Sequence, residues 1–227
     1  MTTVGFIGTG NIGGTVARLA VDAGHDVVLS NSRGPETLAD LVARLGSRAR
    51  AATPAEVAAA ADLVVVSVPF HAFRKLPAER LAGKVVLDTN NYSAQRDGDF
   101  PELADGTLTS AELEQKHLSG ARLVKVFNNI YWQHLAALPR PAGAADRTAL
   151  TIAGDDAEAK QVATTFLDEL GYDALDVGSL ADSWRVQPGQ PAYGPPYGTA
   201  EQPAGSPASV VKVRAAVEAA IRSLEGI

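Results

Sequence analysis

Cysteine is absent from the 227 residues, and there are only one methionine and two tryptophans. Without a thiol, disulfide staples, cysteine nucleophiles and thiolate-ligated zinc are excluded. No long run of Lys and Arg occurs, and the net charge is −6, so the electrostatic footprint of a nucleic-acid binder is missing. No apolar run approaches the roughly 18 residues needed to cross a bilayer, so no membrane partner is expected. The first strand-like run begins at about residue 4 and leaves no room for a signal peptide. These absences predict a cytoplasmic protein. No Ser/His/Asp triad and no metal-spaced cluster stands out, so no metal is expected. What remains is ordinary for a globular chain, 46% hydrophobic and 20% charged.

The most informative stretch lies at the start. Val4 to Ile7 is a short apolar run, and Gly8, Gly10 and Gly13 follow it in G-x-G-x-x-G spacing. Ile12 to Ala23 continues as an apolar-rich helix. Gly8 permits the tight strand-to-helix turn, Gly10 lets a pyrophosphate lie against the backbone, and Gly13 lets helix and strand pack closely. Free N–H groups and the positive end of the helix dipole then face the phosphates. Gly8, Thr9, Gly10, Asn11, Ile12 and Gly13 are the expected phosphate cradle.

Further runs alternate between strand and helix. Asp26 to Ser30, Ser47 to Ala52, Asp62 to Val68, Lys84 to Asp88, Arg122 to Phe127, Thr148 to Ala153 and Tyr172 to Val177 read as strands. Pro35 to Leu45, Thr53 to Ala60, Pro77 to Leu81, Ser110 to Leu118, Asn128 to Leu138, Asp155 to Leu170 and Ala208 to Leu224 read as helices. Thr53 with Glu56 forms a capping box. Pro188 to Pro207 holds six prolines and four glycines and is expected to be irregular. This alternation predicts an α/β fold, a Rossmann-type doubly wound parallel sheet with a small C-terminal α/β extension. The division expected is a nucleotide-binding core over residues 1–147 and an extension over 148–227 that completes the acceptor site; the alternative is one compact domain. The terminal helix can pack on its own core or across a homodimer.

In such sheets ligands bind beyond the carboxyl ends of the strands. At the end of the second strand an NAD enzyme usually carries Asp or Glu. This chain has Asn31, Ser32 and Arg33 there. No carboxylate repels a 2′-phosphate, and Arg33 can pair with one, so NADP(H) is expected over NAD(H). Val68, Pro69, Phe70 and Asn90 leave the fourth and fifth strands and are expected to flank the nicotinamide.

The segments GFIGTGNIGGTVARLAVDAGHDVVLSNSRGPETL, VVVSVPF, VVLDTNNY and VKVFNNI together resemble the coenzyme F420-dependent NADP reductase family over roughly residues 3 to 185. Members are Rossmann proteins with a small C-terminal extension that transfer hydride between NADP(H) and the deazaflavin F420. The resemblance implies Thr9, Asn31, Ser32 and Arg33 as NADP phosphate contacts, and a deazaflavin over the nicotinamide near Asn128 and Arg185. Two positions depart from the family pattern. Asn128 replaces a histidine, and Val186-Gln187-Pro188 replaces the Ser and Thr expected after Arg185.

Hydride transfer to a deazaflavin needs mainly positioning of the two rings. Reduction of a carbonyl also needs a proton donor. His71, Tyr92, Tyr131 and His134 are the candidates, with Asn128 and Arg185 as further residues beside the acceptor. Of these, His71 is read first as a surface residue in the first turn of a helix and only second as a catalytic group. Lys125 and Asn128 have K-x-x-N spacing, but Lys125 falls in a strand. Tyr193-Gly194-Pro195-Pro196-Tyr197 could form a lid. The expected partner is a small-molecule acceptor. The leading reading is NADPH-dependent hydride transfer to F420 or a similar acceptor. The alternatives are reduction of a flavin, ferric chelate, quinone or small carbonyl, and a non-catalytic NADP(H) redox sensor.

Overall fold

The computed structural model describes residues 2–222. Its strands are β1 (Thr3–Ile7), β2 (Asp26–Ser30), β3 (Ala49–Ala51), β4 (Leu63–Val66), β5 (Val85–Asp88), β6 (Arg122–Val126), β7 (Ala149–Gly154) and β8 (Asp173–Asp176). The α-helices among the described residues are α1 (Asn11–Asp22), α2 (Ala39–Leu45), α3 (Pro54–Ala60), α4 (Ala78–Leu81), α5 (Ala94–Asp97), α6 (Pro101–Ala104), α7 (Ser110–His117), α8 (Trp132–Ala137), α9 (Ala157–Glu169) and α10 (Val210–Glu218). All eight strands join one sheet in the order β3-β2-β1-β4-β5-β6-β7-β8. The first six run parallel, in the order of two mononucleotide-binding halves.

One pair departs from the all-parallel expectation. β7 runs antiparallel to β6, with Val126 opposite Ile152. A parallel neighbour needs a return crossing of a dozen or more residues, usually helical. α8 has six residues and rises only about 9 Å. The chain then stays at the same edge, where the Arg140 N–H donates to Gly171 O just before β8. β7 therefore starts where β6 ends. The longer α9 does cross back, and β8 pairs parallel to β7.

Both sheet faces are covered, as the near-continuous apolar strands require. Val65, Leu87 and Val124 face Val16 of α1 and Phe166 of α9 in one layer. Val64, Val66 and Val86 face Val57 of α3 and Ala111 of α7 in the other. α10 buries Val213 and Val217 and leaves Val211 exposed. It ends at Glu218, short of the expected Leu224, which lies outside the described residues. The helix expected over Asn128–Leu138 shortens to α8, because Phe127 turns the chain at φ +61° and the following residues form a loop. No helix among the described residues is long and apolar enough to cross a membrane.

Candidate active site

The carboxyl ends of β1 to β6 form one edge of the sheet, and the expected loops gather there. At the end of β1 the backbone turns through Gly8 at φ +98°, and a Cβ on Gly8 would sit 2.0 Å from Ser67 O. A Cβ on Gly13 would lie 2.2 Å from Gly8 O. Both glycines are required by the meeting of β1, β4 and α1. Gly10 differs: a Cβ there meets nothing within 4 Å. No side chain caps α1, and no acidic residue stands in its first turn. The N–H groups that open a helix have no intrahelical acceptor, and open space lies beside Gly10. This turn has the shape and charge to receive a diphosphate.

At the end of β2 the Asn31 side chain organises its own loop. Its Oδ1 accepts from Arg33 N and Gly34 N at 2.9 and 3.0 Å, and its Nδ2 donates to Thr37 Oγ1 at 2.8 Å. Ser32 and Arg33 are exposed. No carboxylate bonds the Arg33 side chain among the described residues.

Beneath the loops after β4 and β5 lies a buried polar network. Lys125 Nζ of β6 pairs with Asp88 Oδ2 of β5 at 2.8 Å and also donates to Asn90 O. The two side chains are 3% and 0% exposed. Asn90 N donates to Asp88 Oδ1 at 2.7 Å. Asn90 Oδ1 accepts from Val68 N at 2.9 Å, and Asn90 Nδ2 donates to the Glu114 carboxyl at 3.0 Å. Both ends of the Asn90 amide are thus engaged inside the protein, where they set the path of the β4 loop. Lys125 in this network matches its expected strand position. Neither Glu114 nor Asp88 stood out in the sequence. A lysine inside the apolar run of β6 is the one signal that a buried partner had to exist.

Glu114 is fully buried. Burial first, then the Asp88 charge, push its carboxyl up to about 8, against the pull of Lys125 and the Asn90 amide. The folded protein thus holds a proton that the unfolded chain releases near pH 4.5. The stabilisation is complete below that value and is lost as pH rises through about 8. Glu114→Gln should remove this dependence. The unfolding free energy from urea titration should fall between pH 5 and pH 8.5 by on the order of a few kcal/mol more for the parent than for the variant. Equal losses in both proteins would contradict the buried proton.

The other expected residues are dispersed. Pro69 is exposed. Phe70 is fully buried, with ring centroids 4.9 to 5.6 Å from Phe73, Phe100 and Tyr92, so only its backbone borders the edge. Asn128 is 4% exposed, and its Nδ2 donates to Val186 O and Asn91 Oδ1 at 2.9 and 3.2 Å. Its Oδ1 is buried without a partner. Arg185 stacks on Trp184 at 4.6 Å. Trp184 in turn lines a cleft of about 650 Å³ with Tyr92, Phe100, Gln187 and Arg222. The expected lid over residues 193–197 is corrected at Tyr197. That side chain is fully buried, and its hydroxyl donates to Ala149 O at 3.1 Å. It anchors the Pro-rich stretch to β7. Among the five residues, Tyr193 stays partly exposed near Arg96 and Tyr131.

Comparison with known proteins agrees with this geometry. Residues 3–92 match the family described as NADP oxidoreductase, coenzyme F420-dependent. The chain is 30% identical over 186 residues to the metalloreductase STEAP3 of Rattus norvegicus, covering 81% of this chain and 35% of that protein. It spans less than two fifths of the length of the curated relatives it matches. Among solved structures, the hypothetical protein SMa0349 from Sinorhizobium meliloti superposes with a TM-score of 0.72 at 29% identity, over 84% of this chain and 92% of that one. A protein from Arthrobacter sp. FB24 assigned as an F420-dependent NADP reductase superposes at 0.68 and 27% identity, over 81% and 87%.

Proposed function

We propose that the chain, whose residues 3–92 match the coenzyme F420-dependent NADP oxidoreductase family, transfers hydride between NADP(H) and an acceptor bound at the carboxyl edge of its sheet. The observation that carries this is the open, uncapped start of α1 at Gly10, flanked by two glycines that the backbone cannot replace. Gly8 to Gly13 would hold the diphosphate through backbone N–H groups. Ser32 and Arg33 would take the 2′-phosphate, with Asn31 shaping the loop that presents them. Bound there, the nicotinamide supplies the hydride. The chain's part is to orient the ring with the β4 and β5 loops and to exclude water from it.

Arg33→Ala should weaken NADPH binding by about 30-fold or more and NADH binding by less than about 3-fold, because a charge-assisted pair to phosphate is lost in one case only. Fluorescence titration of both nucleotides checks this, and equal losses would sink the NADP preference. F420 is the first acceptor to test, by loss of its visible absorption on mixing protein, NADPH and oxidised F420. Rapid loss with NADPH and not NADH is the expected result. A second reading, reduction of a different acceptor, is favoured by Asn128. Its amide is turned into the protein and bonds Val186 O, where the resemblance assigns a deazaflavin contact.

A further inference from the structure

We propose that His71, held by Asp97, is a proton donor of this site and equips it also to reduce a carbonyl compound, whose oxygen takes up a proton as the carbon takes up hydride. The inference rests on the NADP(H) reading above. His71 follows β4 by five residues and stands on the short 3-10 helix Phe70–Lys75. Its side chain is 50% exposed, yet its Nδ1 lies 3.0 Å from Asp97 Oδ1. Asp97 belongs to α5, after β5, so the pair joins the two loops expected to flank the nicotinamide.

The Asp97 side chain is fully buried. It accepts from Ser93 N at 3.0 Å, His71 N at 3.3 Å, and Arg96 Nε and Nη2 at 3.1 and 2.7 Å. Burial alone would raise its carboxyl. The bonds from Arg96, Ser93 and His71 outweigh burial and hold it down to about 2. Asp97 is thus an anion fixed from three sides. An anion can only accept, so the neutral ring places its proton on Nδ1 and turns Nε2 outward. Arg74, at the far end of the same 3-10 helix, pairs with Glu102 of α6, and the neutral phenol of Tyr193 lies near Arg96. Burial raises the Tyr193 hydroxyl, which makes it a reluctant donor.

The other histidines are unsuited. His25 precedes β2 at the opposite edge of the sheet and pairs with Glu169. His117 packs edge-on against Phe73. His134 is fully buried and bonds Gln202 O. The step balances as follows. The carbonyl carbon gains hydride from the reduced nicotinamide, which is oxidised. The former π pair becomes a lone pair on oxygen, and the new alkoxide takes the proton from Nε2 of the imidazolium. The neutral ring left behind keeps its Nδ1–H on Asp97 and is reprotonated from water.

The test uses the full chain, NADPH and 9,10-phenanthrenequinone as the carbonyl probe, with two readouts. In ¹⁵N spectra of the free protein, the neutral His71 ring should carry its proton on Nδ1. A ring protonated on Nε2 would overturn the proposal without any turnover being measured. In turnover, His71→Gln should lower kcat about 100-fold or more while NADPH affinity by fluorescence stays unchanged. An unchanged kcat overturns the proposal. So does a parent protein that binds NADPH and leaves the quinone unreduced, a result that keeps the nucleotide reading intact. Failure to bind NADPH at all removes that reading and the proposal with it.

Discussion

Replacing Gly10 by alanine should weaken NADPH binding about 100-fold and leave the thermal midpoint within about 2 °C, whereas alanine at Gly8 should lower the midpoint by about 10 °C. The contrast follows from two glycines two residues apart in one turn. Gly10 sits at φ −71°, which any residue adopts, and its Cβ would project into open space. A methyl there leaves the free protein unstrained and occupies the place where, on the proposed binding mode, phosphate oxygens would approach the N–H groups. Losing about 3 kcal/mol of binding gives the hundredfold effect. Gly8 sits at φ +98°, and its Cβ would lie 2.0 Å from Ser67 O. The positive φ alone costs an alanine roughly 1–2 kcal/mol. The clash is with backbone just past β4, so β1 and β4 must separate while Gly8 N still donates to Ser30 O. A total near 3 kcal/mol corresponds to about 10 °C for a chain of this size. Thermal melts and fluorescence titrations of the two variants check both halves. Unaltered NADPH affinity in Gly10→Ala would refute the phosphate cradle.

Lys125→Met should be the most destabilising substitution in the sheet, by roughly 3–5 kcal/mol. It removes the partner of Asp88, whose carboxylate is 0% exposed and cannot be reached by water. It also removes the donor to Asn90 O. Burying an unpaired carboxylate is what makes the single change severe, and neutralising the carboxylate should undo most of it. When Asp88→Asn is combined with Lys125→Met, the introduced amide keeps an oxygen for the Asn90 N–H that now bonds Asp88 Oδ1. The double variant should recover at least half of the loss in urea unfolding, as buried pairs often exchange for neutral groups at little cost. A single variant within about 1 kcal/mol of the parent would show that the pair is not carried as ions. Because the network holds Val68 N through Asn90, Lys125→Met should also loosen the β4 loop and weaken NADPH binding.

Of the candidate residues, those whose role depends on backbone were the most legible. The glycine spacing marks a turn that only one local geometry satisfies, and the structure has that geometry. Asn31 was legible as the end of β2, but its side chain closes its own loop. Asn90 and Asn128 were read as ligand contacts from their place after strands. Their amides instead join segments 22 to 58 residues apart, and no local pattern records such a partner. The same limit hid Asp97 in a polar loop. Its importance comes from His71, 26 residues earlier in the chain.

The sequence by itself determined the strand and helix alternation, the parallel core and the glycine turn between β1 and α1, because each rests on periodicity or on the backbone freedom of glycine within a few residues. Tertiary structure alone decided that β7 turns antiparallel, that Tyr197 is an anchor, that Glu114 keeps its proton and that His71 is oriented by Asp97. Each of those depends on desolvation or on a hydrogen bond across the fold, and burial is a property of the packed sheet rather than of any segment in it.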